Sequence, residues 1–397
     1  MNEPMVIDFG DPEFWQDPYP TFARARAQHR VARSTAGEVI LLSADDFDTA
    51  HVHPAFGQPG LLALERLGVH DGPFYEWRSR SMAAHDEPVH GRIRSSVVRA
   101  FTPLRVERVR ASLVEHANQL LARALDQDEF DLVADYASDL PLWLVCEFIG
   151  LPTDARDEIA EFLAGTESGF VDPLTPQGRK TAEDGIVALG HFVERLVAAR
   201  ERQPEEDIVT DLLAAEAAGL LDRAELIALV VNVLGGAVGS SRAAIANSVH
   251  LLLAHPEQAE WVRVDAARVV PAVEECLRYR PPFRSGRKLV IADNDCFDLD
   301  LRAGETVFLA RQSANRDPVR WADADRFDVT RTPERHFSFG YGAHFCLGQA
   351  LARLDVQESV RVFLDAMPAA RLLTVEPRHL PFTPDDQLEA LWIAPNG

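Results

Sequence analysis

One cysteine, Cys346, stands in a run that leaves the backbone few courses: HFSFGYGAHFCLGQALARLD, residues 336–355. Gly340, Gly342 and Gly348 bracket it. Glycine accepts backbone angles that other residues resist and lets the chain approach something large and flat. After Cys346 the period becomes helical, with Leu347, Ala350, Leu351 and Leu354 on one face. The spacing therefore predicts a tight loop that delivers Cys346 to a helix N-terminus. There the helix dipole and free N–H groups favour a thiolate over a thiol, and a thiolate beside backbone donors suits a metal. A lone cysteine is otherwise commonly a small buried hydrophobe. The other three, Cys146, Cys276 and Cys296, form no C-x-x-C pair and no zinc spacing.

The 397 residues are 47% hydrophobic and 26% charged, an ordinary globular mixture. A formal net charge of -22 argues against nucleic acid and against anionic membrane surfaces. No window approaches eighteen continuous apolar residues, and the acidic opening MNEPMVIDFGDPEFWQDP lacks the apolar core of a signal peptide. These features predict a cytoplasmic protein with no nucleic acid and no membrane partner. No repeat, low-complexity tract or linker divides the chain, so residues 1–397 read as one domain.

Helical periodicity covers residues 88–100, 104–125, 140–149, 153–166, 178–201, 207–218, 222–254 and 269–279. Residues 31–42 and 289–309 alternate as hairpins, and the tail after 366 reads as a few strands. The expected fold class is mainly α with small β-sheets: a helix-rich part with a smaller, discontinuous β-rich part. Residues 53–86 look loop-like yet carry Leu61, Leu62, Leu64, Phe74, Tyr75 and Trp77. Such a loop either packs on the core or covers a ligand.

The pattern F-G-x-G-x-H-x-C-L-G, filled by Phe339 through Gly348, resembles the haem-binding signature of the cytochrome P450 family residue for residue. Thiolate ligation of haem iron pushes electron density onto the metal and favours O–O cleavage. Glu275 and Arg278 resemble that family's E-x-x-R helix, and residues 314–331 resemble the stretch that packs on it. With DPYPTFARAR near the start and FIGLP at 148–152, the resemblance covers essentially the whole chain. It implies the cytochrome P450 fold, haem b (iron protoporphyrin IX) as cofactor, and Cys346 as the metal ligand. It also implies a monooxygenase that uses O2 and two electrons from ferredoxin and ferredoxin reductase. The expected reaction is hydroxylation or O- or N-dealkylation of a small apolar or aromatic substrate.

The resemblance further assigns His90, Arg94, Arg287 and His336 to the two haem propionates, since a buried carboxylate needs cationic or N–H partners. Phe339 and Gly348 complete the cofactor set. Arg92, Arg99, Arg105, Arg108 and Arg110, opposed only by Glu107, form a basic cluster where the family docks an acidic electron donor. Substrate contacts fall on residues 61–77, 163–187, 234–241 and 283–285, with Phe74, Leu234, Gly236 and Phe283 foremost. Arg284 could anchor a carboxylate but is expected to face solvent.

One stretch departs from the family. Where its long helix carries an acid followed by an alcohol, this chain reads GAVGSS, placing Gly239 at the acid and Ser240 and Ser241 after it. Gly239, Ser240 and Ser241 are the candidate catalytic positions, and the carboxylate that helps relay protons is missing from them. Weakened coupling follows as an expectation, repairable by Gly239→Asp. A peroxide-using oxidase, or a haem-binding protein with little turnover, stands as the alternative.

Overall fold

A computed structural model describes residues 3–171 and 174–396 of the chain. A helix of 32 residues, Arg223–Ala254, runs through its middle. It starts at Asp222, whose side chain accepts from the Glu225 N–H while the Glu225 carboxylate accepts from the Asp222 N–H. That reciprocal cap satisfies two otherwise orphaned donors. Gly235, Gly236 and Gly239 do not interrupt the helix. By length and composition it could cross a membrane, although half of its most apolar stretch is buried inside the protein. Three glycines and scattered polar residues hide this from a search for an unbroken apolar run.

The central helix packs most extensively on Asp139–Ile149, Pro176–Arg202, Val269–Tyr279 and Gln349–Ala366. Their apolar faces form the main core. Two sheets stand beside the helices. The larger has the order β1(Val6–Ile7), β2(Val31–Ser34), β3(Val39–Leu41), β7(Thr306–Leu309), β6(Gly286–Val290), β4(Phe56–Gly57). The smaller joins β5(Phe130–Asp131), β9(Trp392–Ala394) and β8(Arg371–Leu372). The mainly helical class with small sheets is the observed one. Residues 53–86 are more ordered than their composition suggests, with helices at Leu62–Glu65 and Pro73–Arg80. Their turn-forming glycines and prolines separate the short helices rather than abolish them. The expected helix over 104–125 divides into Pro103–Arg108 and Arg110–Leu125.

Val269–Tyr279 carries the Glu275–Arg278 pair, with side chains 2% and 3% exposed. Arg278 Nε donates to Glu275 Oε2 at 2.7 Å and Arg278 Nη2 to Oε1 at 2.8 Å. The remaining guanidinium donors bind the carbonyls of Asn315 and Ala324, each at 2.9 Å. Glu275 Oε1 accepts the Asp328 N–H at 2.9 Å. Asn315 in turn accepts the Phe337 N–H at 2.7 Å and donates to Ser338 Oγ at 3.0 Å. The pair thus fixes residues 315–328, and through Asn315 the entry to the cysteine loop.

Removing one partner of such a pair leaves an uncompensated buried charge. Arg278→Ala should cost roughly 3–5 kcal/mol, on the scale of buried pairs broken on one side. Urea unfolding followed by circular dichroism measures the loss; a cost below about 1 kcal/mol would contradict the role given to the pair.

Candidate functional site

The cysteine loop turns at Gly340 and Gly342, with φ of +73° and +71°. A Cβ on Gly342 would stand 3.1 Å from the His51 carbonyl oxygen, so close approach as well as conformation selects glycine there. The Cys346 N–H donates to the Phe339 carbonyl at 2.9 Å. Gly348, the residue before the helix Gln349–Ala366, donates its N–H to the thiol. Burial nevertheless raises the thiol's pKa, outweighing that hydrogen bond and the guanidinium groups of Arg94, Arg353 and Arg311. The Gly348 N–H and the nearby guanidinium groups act in the direction the helix end predicts, against burial. Deprotonation is the part that bonding to a metal supplies.

Beside the loop, donors outnumber acids: among the described residues only Glu87, 3.3 Å from His90 Nδ1, and Asp86, 3.7 Å from His344 Nε2, stand within ion-pair distance of them. His90 and Arg94 project from Val89–Val97. The His90 ring lies 3.9 Å from that of His344, and His90 Nε2 is buried with no hydrogen-bond partner. Arg94 donates to the Phe345 carbonyl at 2.8 Å. Lys288 is 5% exposed and has no hydrogen bond or ion pair among the described residues. Arg311 binds the Phe283 carbonyl at 3.2 Å, yet its Nε is buried and unpartnered. Burial, then the neighbouring charges of His90 and Lys288, push His344 down to about 4. Lys288 and the buried Arg311 Nε, neither paired with an acid among the described residues, call for an anion.

Two propionate candidates point elsewhere. Arg287 is exposed and pairs with Glu38 at 3.1 Å, because successive strand residues face opposite sides and the interior register of β6 falls on Lys288. A single step along the chain separates the two readings. His336 is buried but spends its ring on Glu274 at 3.1 Å. Burial works to raise the Glu274 carboxyl, but hydrogen bonds from His336 and Arg353 hold it at about 2. His344, two residues before Cys346, stands in the cluster instead; its place inside the loop was the signal to find it. Phe339 lies under the Arg353 guanidinium at 4.2 Å.

Across the opening, Gly236 has nothing within 4 Å of where a Cβ would sit, and Gly235 meets only Leu163 at 3.8 Å. Ser240 turns its hydroxyl back to the Gly236 carbonyl at 3.3 Å. Ser241 is buried and bonds Asp355 on the far side of the helix, so it does not share the face of Ser240. Of the pocket candidates, Gly236 borders open space, while Phe283 is partly buried with the Arg311 guanidinium 5.8 Å from its ring. Phe74 and Leu234 are 1% and 0% exposed and belong to the core.

The carboxylate absent from Gly239 is present in space. Asp385 Oδ2 lies 2.6 Å from the position of a Gly239 Cβ, with Glu167 Oε1 at 3.3 Å. Asp385 is buried, bonds Gln387 through Oδ2 at 3.2 Å, and leaves Oδ1 unpartnered. Burial raises its pKa to about 7, with Glu167 adding to the shift against Gln387, Arg242 and Arg284. Its neighbour Asp386 anchors the loop, bonding Arg280 at 2.9 Å, Arg284 at 3.2 Å and His379 at 3.0 Å. Arg284 is therefore buried, not solvent-facing. From Asp385 a chain of contacts runs through Gln387 to Arg242 at 2.6 Å and on to Glu167 at 3.4 Å. Sequence alone gave no sign of this acid, 146 residues beyond Gly239.

The basic cluster is largely neutralised. Arg92 pairs with Glu225, Arg105 with Asp211, Arg108 with Glu206, and Arg110 with Glu107 and Glu358. Arg99 is exposed and, among the described residues, has no ion pair.

Among the described residues no three His, Cys, Asp or Glu side chains converge on one metal position. A single thiol, an open helix face and a cluster of cations fit a metal that brings its own planar, doubly anionic carrier, as haem does.

Residues 174–365 match the family model described as Cytochrome P450. Cytochrome P450 107B1 of Saccharopolyspora erythraea is 32% identical, over 93% of this chain and 92% of that protein. Cytochrome P450 monooxygenase PikC of Streptomyces venezuelae is 32% identical over 99% and 94%. The crystal structure of CalO2 superposes with a TM-score of 0.93 at 28% identity, covering 99% of this chain and 100% of that one.

If Lys288, not Arg287, faces the anion, Lys288→Ala should weaken haem retention on gel filtration roughly ten-fold or more, the scale of a lost charged hydrogen bond. Arg287→Ala should leave the ratio of haem to protein absorbance unchanged; the reverse order would return the role to Arg287.

Proposed function

The chain belongs to the cytochrome P450 family of oxygen-incorporating oxidoreductases, and we propose that Cys346 ligates the iron of haem b while the protein oxidises a small organic substrate. One observation carries this reading: the thiol of the glycine loop lies at the start of a helix that packs on the central helix, near Arg311 and Lys288, which pair with no acid among the described residues. Bound there, haem supplies the iron on which dioxygen is activated with two electrons. His90, Arg94, His344 and Lys288 would hold its carboxylates, and Arg311 adds a further charge. The N–H groups of the cysteine loop fix the ligand's sulfur. Gly235 and Gly236 leave room on the opposite side.

Asp385 holds the proton in this reading. Its carboxyl stands where the acid of the helix motif would, close to half-protonated at neutral pH. Ser240 supplies a hydroxyl on the same helix. The peroxide-using alternative rested on a missing acid, and the carboxylate beside Gly239 favours the two-electron route over it. Gly239→Asp would push a further carboxylate into Asp385 and repel it, so the helix substitution is not a repair.

Electrons would come from a ferredoxin and its reductase, in the cytoplasm. Because four of the five arginines are paired, steering of an acidic donor would rest on Arg99 and on shape more than on a bare basic face. Phe283 and the glycine face suit an apolar or aromatic body, which would undergo hydroxylation or O- or N-dealkylation.

Purified protein should show the thiolate-type Soret band in its reduced carbonyl complex. Cys346→Ser should lose that band while the fold persists by circular dichroism; a retained band would remove Cys346 from the iron.

A second test addresses the proton. Asp385 carries its proton below about 7, so its role is present at lower pH and is lost as pH rises through that value. Product formed per electron consumed should fall between pH 6 and 8. Asp385→Asn should lower it roughly ten-fold or more, as for a general acid, and flatten the pH dependence. An unchanged profile in Asp385→Asn would discard the relay.

A further inference from the structure

The short helix Pro73–Arg80 packs on the central helix and on Pro176–Arg202. Phe74, Trp77 and Arg78, with Ser81 closing the helix, lie on one face by their spacing. Phe74 is buried, and the Ser81 hydroxyl donates to Asn232 Oδ1 at 3.1 Å. That bond locates the face: Asn232 lies one turn before Gly236 on the central helix.

Three donors on this seam have nothing to bind. The Trp77 indole N–H and the Asn232 amide Nδ2 are both buried without a partner. Arg78, half-buried and next to Trp77 in the chain, has no hydrogen bond and no ion pair from its guanidinium among the described residues. Burial lowers its pKa, and no carboxylate is near enough to counter that. Such isolation is unusual in this chain, which has 62 Asp and Glu against 40 Lys and Arg. Nearby acids are committed: Glu225 to Arg92, Glu183 to Arg179, Glu65 to the Tyr75 hydroxyl. The cations near Cys346 face two carboxylates of the cofactor in the reading above. Arg78 is on a different element and is left over.

A buried guanidinium without an acid costs free energy unless a ligand pairs it. A carboxylate suits this one, since Arg presents a planar fork that accepts one bidentately, and the indole and amide N–H groups add donors for the same oxygens. We propose that Arg78, Trp77 and Asn232 form an anion subsite that binds the carboxylate of an apolar carboxylic-acid substrate. The inference rests on the haem-thiolate reading and narrows it. The acid end is held at the short helix, and the apolar body extends along Gly235 and Gly236 towards Phe283.

The test compares acids with their uncharged counterparts. The haem-loaded full chain is titrated calorimetrically with straight-chain carboxylates from hexanoate to myristate, and with the matching methyl esters. The Soret band is followed in parallel. At least one acid should bind on the order of ten-fold or more tightly than its ester, the worth of a charge-assisted hydrogen bond. Arg78→Ala should erase that preference while leaving ester binding and the thiolate-type carbonyl spectrum as they were. Arg78→Lys should restore part of it. Acids and esters binding alike, no acid binding at all, or a preference that survives in Arg78→Ala would each overturn the subsite. Should Arg78→Ala misfold, Arg78→Gln, which keeps the bulk and loses the charge, decides by the same comparison. Failure of the haem reading is separate: it appears as the absence of the thiolate-type band in the unsubstituted protein.

Discussion

The buried pair of Glu275 and Arg278 is the interaction on which the site depends. Two opposite charges at 2.7 Å in a dry interior repay their desolvation only when every remaining donor and acceptor is used. Here they are. The guanidinium gathers two carbonyls from the meander at 315–324, the carboxylate takes an N–H from Asp328, and Asn315 passes the constraint to Phe337 and Ser338. The cysteine loop then begins from a fixed point. Its two left-handed glycines do the rest, setting the thiol at the end of a helix with its N–H groups turned inward.

The opposite wall is built by subtraction. Gly235, Gly236 and Gly239 remove side chains from a helix that stays continuous, so a rigid element presents an open groove. At Gly239 the space is not left open. Asp385 enters it from the C-terminal segment, and the absence of a Cβ is what lets the carboxylate approach so closely. The charge distribution divides the site in the same manner. Around Cys346 basic side chains outnumber the acids Asp86 and Glu87, while around Gly239 two carboxylates share one arginine and a glutamine.

Most of the fold was legible, because long amphipathic periods and a spaced cysteine motif are local signals. The pair at 275 and 278 could be read from a three-residue spacing. What escaped depends on contacts between distant segments. The inward residue of β6 was misread by one position, since strand register, not residue type, decides whether Arg287 or Lys288 faces the interior. His336 and His344 sit in one loop, and only the capture of His336 by Glu274 separates their roles. Arg284 looked exposed because its partner Asp386 lies 102 residues away. The basic cluster looked bare for the same reason: Glu225, Asp211, Glu206 and Glu358 reach it from other helices.

The origin of Asp385 gives the tail an unexpected office. In a helix, an acid is located by the rigid rise of its own backbone. Here it is located by the clasp of its neighbour Asp386 on Arg280 and Arg284 and by the backbone bridge between Phe283 and Asp385. One residue of extended chain spans about 3.3 Å, more than the tolerance of a hydrogen bond. The register of the C-terminal segment against residues 280–284 is thus part of the chemistry: a slip of one residue would carry the carboxyl away from Gly239.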